Sequence, residues 1–270
     1  MKRALLIGIN YYGLNGQLSG CVNDVTIMRD LLVAKYAFDK EDCTVITDAP
    51  GSAVQPTRDN IRTAVFNLLS GSSSGDTLVL HYSGHGSYVK DTDGDEIDKK
   101  DEVIVPVDYA KNGVIRDDEL YNLTIKRLLP GVKLYAFFDS CYSGSVLDVR
   151  YTFSDACTRI KGKGDVYVPE EWTDKYSLTV QREKPEKGGL CVMFSGCTDT
   201  QTSADAYNEK IRKAQGAFTR ALVDSLNVFQ TPKIRNLLKE VNCRLRMRGF
   251  TQMSQCSVTA QDLFENRLFE

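Results

Sequence analysis

Both histidines of this 270-residue chain fall in "HYSGHG", as His81 and His85, four positions apart at the end of an apolar run. On a helix, two imidazoles so spaced could ligate a metal ion, as in HExxH zinc sites. Gly84 and Gly86 bracket the second histidine and break any helix, and no CxxC pair or third histidine completes a donor set. The pattern argues against zinc. His81 lies inside the apolar run and is expected to be a packed, hydrogen-bonded strand residue. His85 lies in a glycine-flanked turn, where its ring and the neighbouring N–H groups can face a ligand.

An imidazole acting as a base needs a nucleophile. Cys141 lies 56 residues after His85, in "FFDSCYSGS", where an apolar run ends in small residues that present a sulfur instead of burying it. A thiol with a pKa of about 8.5 is only a few per cent thiolate at neutral pH, and a neighbouring imidazole corrects this by taking the proton. The alternative for any single cysteine is an inert packed thiol. Placement at a strand end, opposite the other loop-placed titrating group, favours the nucleophile.

The elements that must position these residues alternate. "RALLIGIN" (3–10) reads as a buried strand, "CVNDVTIMRDLLVAKY" (21–36) as an amphipathic helix and "CTVIT" (43–47) as a strand. "TRDNIRTAVFNLL" follows as a helix capped by Thr57, then strand "DTLVLHY", helix "DDELYNLTIKRLL" and strand "VKLYAFFDS". Strand "LCVMFSG" and helices "GAFTRALVDSL" and "KIRNLLKEVNCRLRM" complete the series. Such alternation implies a mainly parallel sheet with helices on both faces and a site beyond the carboxyl ends of its strands. His85 and Cys141 both follow strands, so parallel strands would bring them to one edge. From Arg150 to Gly189 the pattern lapses into a polar stretch, read as an irregular loop or processing linker.

Composition sets the bounds. With 42% hydrophobic residues the chain can bury an ordinary core, and a formal net charge of −2 offers no field for nucleic acid or a membrane surface. The eight cysteines form no CxxC pair, and "MKRALLIGIN" is too short for a leader or a membrane span. Reduced thiols and a cytoplasmic location are therefore expected.

"HYSGHG" together with "DSCYSGS", "GCVND" and "SGCTDTQTSAD" resembles the metacaspases, caspase-fold cysteine peptidases, with the four motifs in the family's order. The resemblance implies a caspase-like three-layer α/β/α sandwich with a mainly parallel central sheet. One peptidase domain would cover 1–270, with a p20-like part (1–149), a linker (150–189) and a p10-like part (190–270). It implies a calcium-dependent endopeptidase, typically monomeric, acting on proteins or peptides after Arg or Lys. Carried over residue by residue, Cys141 is the nucleophile, His85 the base, and the N–H groups of Gly86 and Cys141 the oxyanion hole. Cys21, Asp24, Ser83 and Asp139 match positions that shape the pocket for a basic P1 residue. Cys197 would be structural.

The resemblance also implies a calcium site at Asp101, Asp117, Asp118 and Asp148, a carboxylate set suited to a hard cation. Asp117 and Asp118 could instead serve only as acids at a helix N-terminus. Without a cation, four like charges are expected to repel and loosen the loop after Cys141. "DTDGDEIDKKDE" looks like an EF-hand loop, but aligning Gly94 at the sixth position puts Val89 and Lys100 where ligands are required. Relative to the family, no Pro-rich or zinc-finger stretch precedes the first strand and the linker is not very long. Autocleavage is therefore not assigned among Lys161, Lys163, Lys175, Arg182, Lys184 and Lys187. Two rivals are a catalytically silent scaffold of the same fold that binds calcium and partner proteins, and a nucleotide-binding protein. The second is disfavoured because neither GxxxxGK[ST] nor GxGxxG occurs.

Overall fold

Apolar residues fill the strand segments almost without alternation, the pattern of strands covered on both faces. A computed structural model describes residues 1–90, 100–141, 143–144, 146–155, 176–181, 184, 187–196 and 216–270. The main strands are β1 (Lys2–Gly8), β2 (Cys43–Thr47) and β3 (Thr77–Ser83). A small sheet holds β4 (Gly86–Lys90), β5 (Lys100–Ile104) and β6 (Ile115–Arg116). β7 (Lys133–Asp139), β8 (Tyr151–Asp155), β9 (Tyr176–Val180), β10 (Leu190–Ser195) and β11 (Gln255–Val258) follow. The main sheet runs β2-β1-β3-β7-β10-β11-β8-β9, parallel from β2 through β10 and antiparallel beyond.

The helices are α1 (Cys21–Tyr36), α2 (Arg58–Leu69), α3 (Tyr109–Asn112), α4 (Asp117–Leu123), α5 (Ala217–Val228) and α6 (Ile234–Met247). One core lies between the sheet and α1, α5 and α6, and includes Leu6, Val79, Phe137, Phe194, Phe218 and Leu222. The other lies under α2 and α4, with Leu5, Ile7, Leu80, Tyr82 and Phe138. Side chains alternate across a strand, so His81 and Ser83 of β3 share the α1/α5 face with Val79, while Tyr82 points to the opposite face.

Most elements read from sequence are present, with three differences. The segment from 150 to 189 is not wholly irregular, because β8 and β9 pair as an antiparallel ribbon at the sheet edge. The helix expected over 117–129 stops at Leu123, where Thr124 turns its Oγ1 back to the Leu120 carbonyl at 2.6 Å, and a 3-10 turn follows over Ile125–Arg127. The small sheet went unread because its strands are short and only half apolar. Thr57 does cap α2, its Oγ1 accepting from the Asn60 N–H at 3.3 Å.

Gly8 is where β1 and α1 approach most closely. A Cβ there would stand 2.5 Å from the Cys21 carbonyl oxygen and 2.6 Å from Val25 Cγ2. Gly8→Ala is expected to destabilise the fold by about 1–3 kcal/mol, the usual range for overpacking, as read by chemical denaturation.

Candidate active site

The sheet register brings the two sequence-derived groups to one edge. Ser83 at the end of β3 pairs with Asp139 at the end of β7, and the Gly84 N–H donates to the Asp139 carbonyl at 3.3 Å. The turn at His85 and Gly86 therefore lies over the Ser140–Cys141 backbone. A Cβ on Gly86 would collide with the Cys141 carbonyl oxygen, so only glycine permits this approach. Cys141 itself is half-buried. The Val105 N–H donates to the His85 carbonyl at 3.2 Å, which makes Gly86 and Ile104 a non-hydrogen-bonded pair. The Gly86 N–H is thus left out of the β4–β5 ladder, beside the Cys141 backbone.

His85 is held at three points. Its Nε2 lies 2.6 Å from the Gly16 carbonyl oxygen, which can only accept, so Nε2 carries the proton and Nδ1 of the neutral ring is the basic nitrogen. Burial lowers its pKa below the ordinary imidazole value, opposed by the Gly16 bond. The backbone is clamped by two tyrosines: the His85 N–H donates to Tyr11 Oη at 2.9 Å, and Tyr82 Oη donates to the His85 carbonyl at 2.7 Å. Tyr11 Oη donates in turn to the Val105 carbonyl at 2.6 Å, and its ring lies 4.6 Å from the imidazole. Tyr11 reaches this position with φ 54°, a left-handed conformation that costs an aromatic residue about 1–2 kcal/mol. Sequence reading missed Gly16, Tyr11 and Tyr82 because these contacts depend on carbonyls, hydroxyls and one unusual φ, none of which leaves a motif.

Cys21, Asp24, Ser83 and Asp139 gather on the α1/α5 side. Asp24 stands in the first turn of α1 and accepts from Ser83 Oγ at 2.8 Å, while Asp139 accepts from the Thr219 N–H at 2.7 Å. Burial raises the Asp24 carboxyl to about 6, with the Ser83 bond opposing. Asp139 is also held up, first by burial and then by the charge of Asp24. Burial likewise raises the Cys21 thiol, which stays protonated. Among the described residues no basic side chain offsets these two carboxylates. Gly20 and Gly216 border Asp24, and a Cβ on Gly216 would sit 3.2 Å from its Oδ1.

The four aspartates assigned to calcium occupy one neighbourhood. Burial, and after it the charge of Asp148, raises Asp117 to about 8, and Asp101 adds to the effect. Asp117 accepts from the Glu102 N–H at 2.6 Å and the Asp118 N–H at 2.8 Å. The mutual repulsion expected of the set is felt at Asp117 and is partly offset by basic side chains. Lys184 Nζ donates to Asp118 Oδ1 and Asp148 Oδ2, each at 2.9 Å, and Arg116 pairs with Asp101 at 2.9 Å. Among the described residues no three acidic, histidine or cysteine side chains converge tightly enough to hold a metal ion. The donor chemistry nevertheless fits a hard cation, since every ligand is a carboxylate oxygen and the gap between Asp118 and Asp148 already accepts an ammonium.

Cys197, residues 91–99 of the EF-hand-like stretch and Lys161, Lys163, Lys175 and Arg182 lie outside the described residues. Among those described, no helix is long and apolar enough to cross a membrane.

A sequence profile described as metacaspase, peptidase C14 domain, matches residues 2–150. The chain belongs to the metacaspase family. It is 37% identical to Metacaspase-1B of Neosartorya fischeri, over 95% of this chain and 68% of that protein. It is 35% identical to Metacaspase-1 of Eremothecium gossypii over 95% of this chain, but spans only 63% of that protein's length. A structure of a Geobacter sulfurreducens protein matches with a TM-score of 0.61 at 24% identity, over 99% of this chain and 98% of that one. Caspase-1 from Spodoptera frugiperda matches with a TM-score of 0.53 at 12% identity, over 96% and 86%. These likenesses establish the caspase-like fold of this metacaspase.

A carboxyl whose folded pKa is raised adds stability below its unfolded value and loses it as pH rises through the folded value. Asp24 therefore weakens the folded metacaspase above pH of about 6. Asp24→Asn is expected to stabilise the protein by about 1–3 kcal/mol at pH 8, with the gain vanishing near pH 4. Denaturant midpoints at the two pH values measure it.

Proposed function

We propose that this chain is a cysteine endopeptidase that cleaves after Arg or Lys and is activated by calcium. The observation that carries the reading is the packing of the His85–Gly86 turn on Cys141, with a neutral imidazole on one side and, on the other, two carboxylates that no basic side chain offsets among the described residues. His85 Nδ1 takes the Cys141 proton, and the sulfur attacks the scissile carbonyl carbon. The imidazolium is stabilised by its Nε2–H bond to the Gly16 carbonyl. The Gly86 and Cys141 N–H groups meet the developing oxyanion, a contribution of about 3–4 kcal/mol per donor. His85 returns the proton to the leaving amine, and the acyl group remains as a thioester. Water, deprotonated by His85, then attacks the thioester, releasing the acid and the thiol.

Asp24 and Asp139 supply the selectivity. A guanidinium or ammonium entering between them relieves their repulsion, whereas an acidic side chain would add to it. Asp101, Asp117, Asp118 and Asp148 would hold calcium, which supplies the positive charge that joins the segment after Cys141 to the start of α4. Lys184 holds part of that position and lies in the linker, so calcium entry and linker release are coupled. The enzyme acts on protein or peptide substrates as a cytoplasmic monomer, and the linker is its own substrate.

A fluorogenic peptide with Arg at P1 is expected to be cleaved by the wild type with calcium, and neither by Cys141→Ala nor in chelator. Silence from both proteins would favour a scaffold; equal turnover in chelator would remove the calcium requirement. Because burial lowers the His85 pKa, the acid limb of the kcat/KM profile is expected below about 6.5. Tyr11→Phe removes the acceptor for the His85 N–H and is expected to lower kcat about tenfold, with KM within about twofold, in steady-state kinetics.

A further inference from the structure

The fully buried His81 has no part in the chemistry above. Its Nε2 lies 3.1 Å from Thr219 Oγ1, and its Nδ1 has no hydrogen-bond partner among the described residues. Thr219 is also fully buried, in the first turn of α5; its N–H donates to the Asp139 carboxylate at 2.7 Å, and its hydroxyl lowers the pKa of that carboxyl, the effect of a hydrogen-bond donor. Counting protons gives one self-consistent set of directions. A threonine hydroxyl has one hydrogen. With that hydrogen on Asp139, Oγ1 must accept from the imidazole, so Nε2 carries the ring proton. The opposite tautomer would strand a buried N–H at Nδ1 and take the hydroxyl away from Asp139. Burial keeps the ring neutral, with a pKa lowered to about 3.

We infer that His81 and Thr219 form a directed hydrogen-bond chain, imidazole to hydroxyl to carboxylate, which orients Asp139 toward the basic side chain of a substrate. This deepens the reading of Asp24 and Asp139 as the pocket for Arg or Lys, and rests on it. His81 is then a positioning residue acting through Thr219. The pleat of β3 makes this possible: His81 lies one repeat below Ser83, which bonds Asp24, so two residues of one strand face serve the two carboxylates. Asp139 needs such donors because burial and the charge of Asp24 both oppose its ionisation.

The test uses the full chain. Long-range 1H–15N correlation of histidine-labelled protein resolves only two imidazoles, and His81 is expected as the Nε2–H tautomer. An Nδ1–H tautomer would overturn the chain without reference to any substrate. In steady-state kinetics on the Arg peptide, Thr219→Val is expected to raise KM about tenfold with kcat changed less than about threefold. Thr219→Ser, which keeps the hydroxyl, is expected within about twofold of wild type. Iodoacetamide should alkylate Cys141 at the wild-type rate in both variants. Kinetics of Thr219→Val equal to wild type, or Thr219→Ser as impaired as Thr219→Val, would overturn the positioning role. A wild-type enzyme indifferent to P1 charge would instead defeat the basic-pocket reading, and the selectivity role with it, while the tautomer still decides whether the chain exists.

Discussion

The parallel pairing of β3 with β7 is the constraint on which the site depends. Its register ends with Ser83 opposite Asp139, so the two strands release their chains at the same level of the sheet. The following residues have almost no freedom: Gly84 is bonded to Asp139, and Gly86 touches the Cys141 backbone closely enough to forbid a side chain. A peptidase built on a thiol and an imidazole must hold both with little play, because a small displacement of either group is costly in rate. Here the precision comes from backbone ladders in the middle of a buried sheet, where local opening is costliest.

Two acidic groups surround this edge and are treated differently. Among the described residues, Asp24 and Asp139 are buried beside one another with only hydrogen-bond donors for company, a state with a standing energetic cost that a cationic ligand would relieve. Asp118 and Asp148 are bridged by Lys184, and Asp101 is paired with Arg116. The first arrangement invites a positive group from outside; the second shows how such a group can be supplied from within the chain.

The regular elements are legible in the sequence because long apolar runs or strong helical periodicity dominate them, as in β7 and α6. From the resemblance, Cys21, Asp24, Ser83 and Asp139 were placed in one group, and the structure gathers them. What could not be read shares a physical character. Gly16 contributes through a carbonyl and Tyr11 through a rare backbone angle. Thr219 contributes through an N–H 80 residues from its acceptor. Lys184 was visible only as one of several linker lysines, since nothing in its neighbours announces two distant aspartates. The ribbon of β8 and β9 escaped because its residues are polar enough to resemble a loop.

The pleat of β3 sends His81 and Ser83 toward one helical layer and Tyr82 toward the other, so a single five-residue stretch serves the acidic pocket and the imidazole clamp together. A slip of one position would exchange phenol and imidazole between layers and undo both at once. Insertions and deletions in this strand are therefore not graded defects. The two halves of the site have a common point of failure, and the chain can adapt them separately only by changing what faces β3, never its spacing.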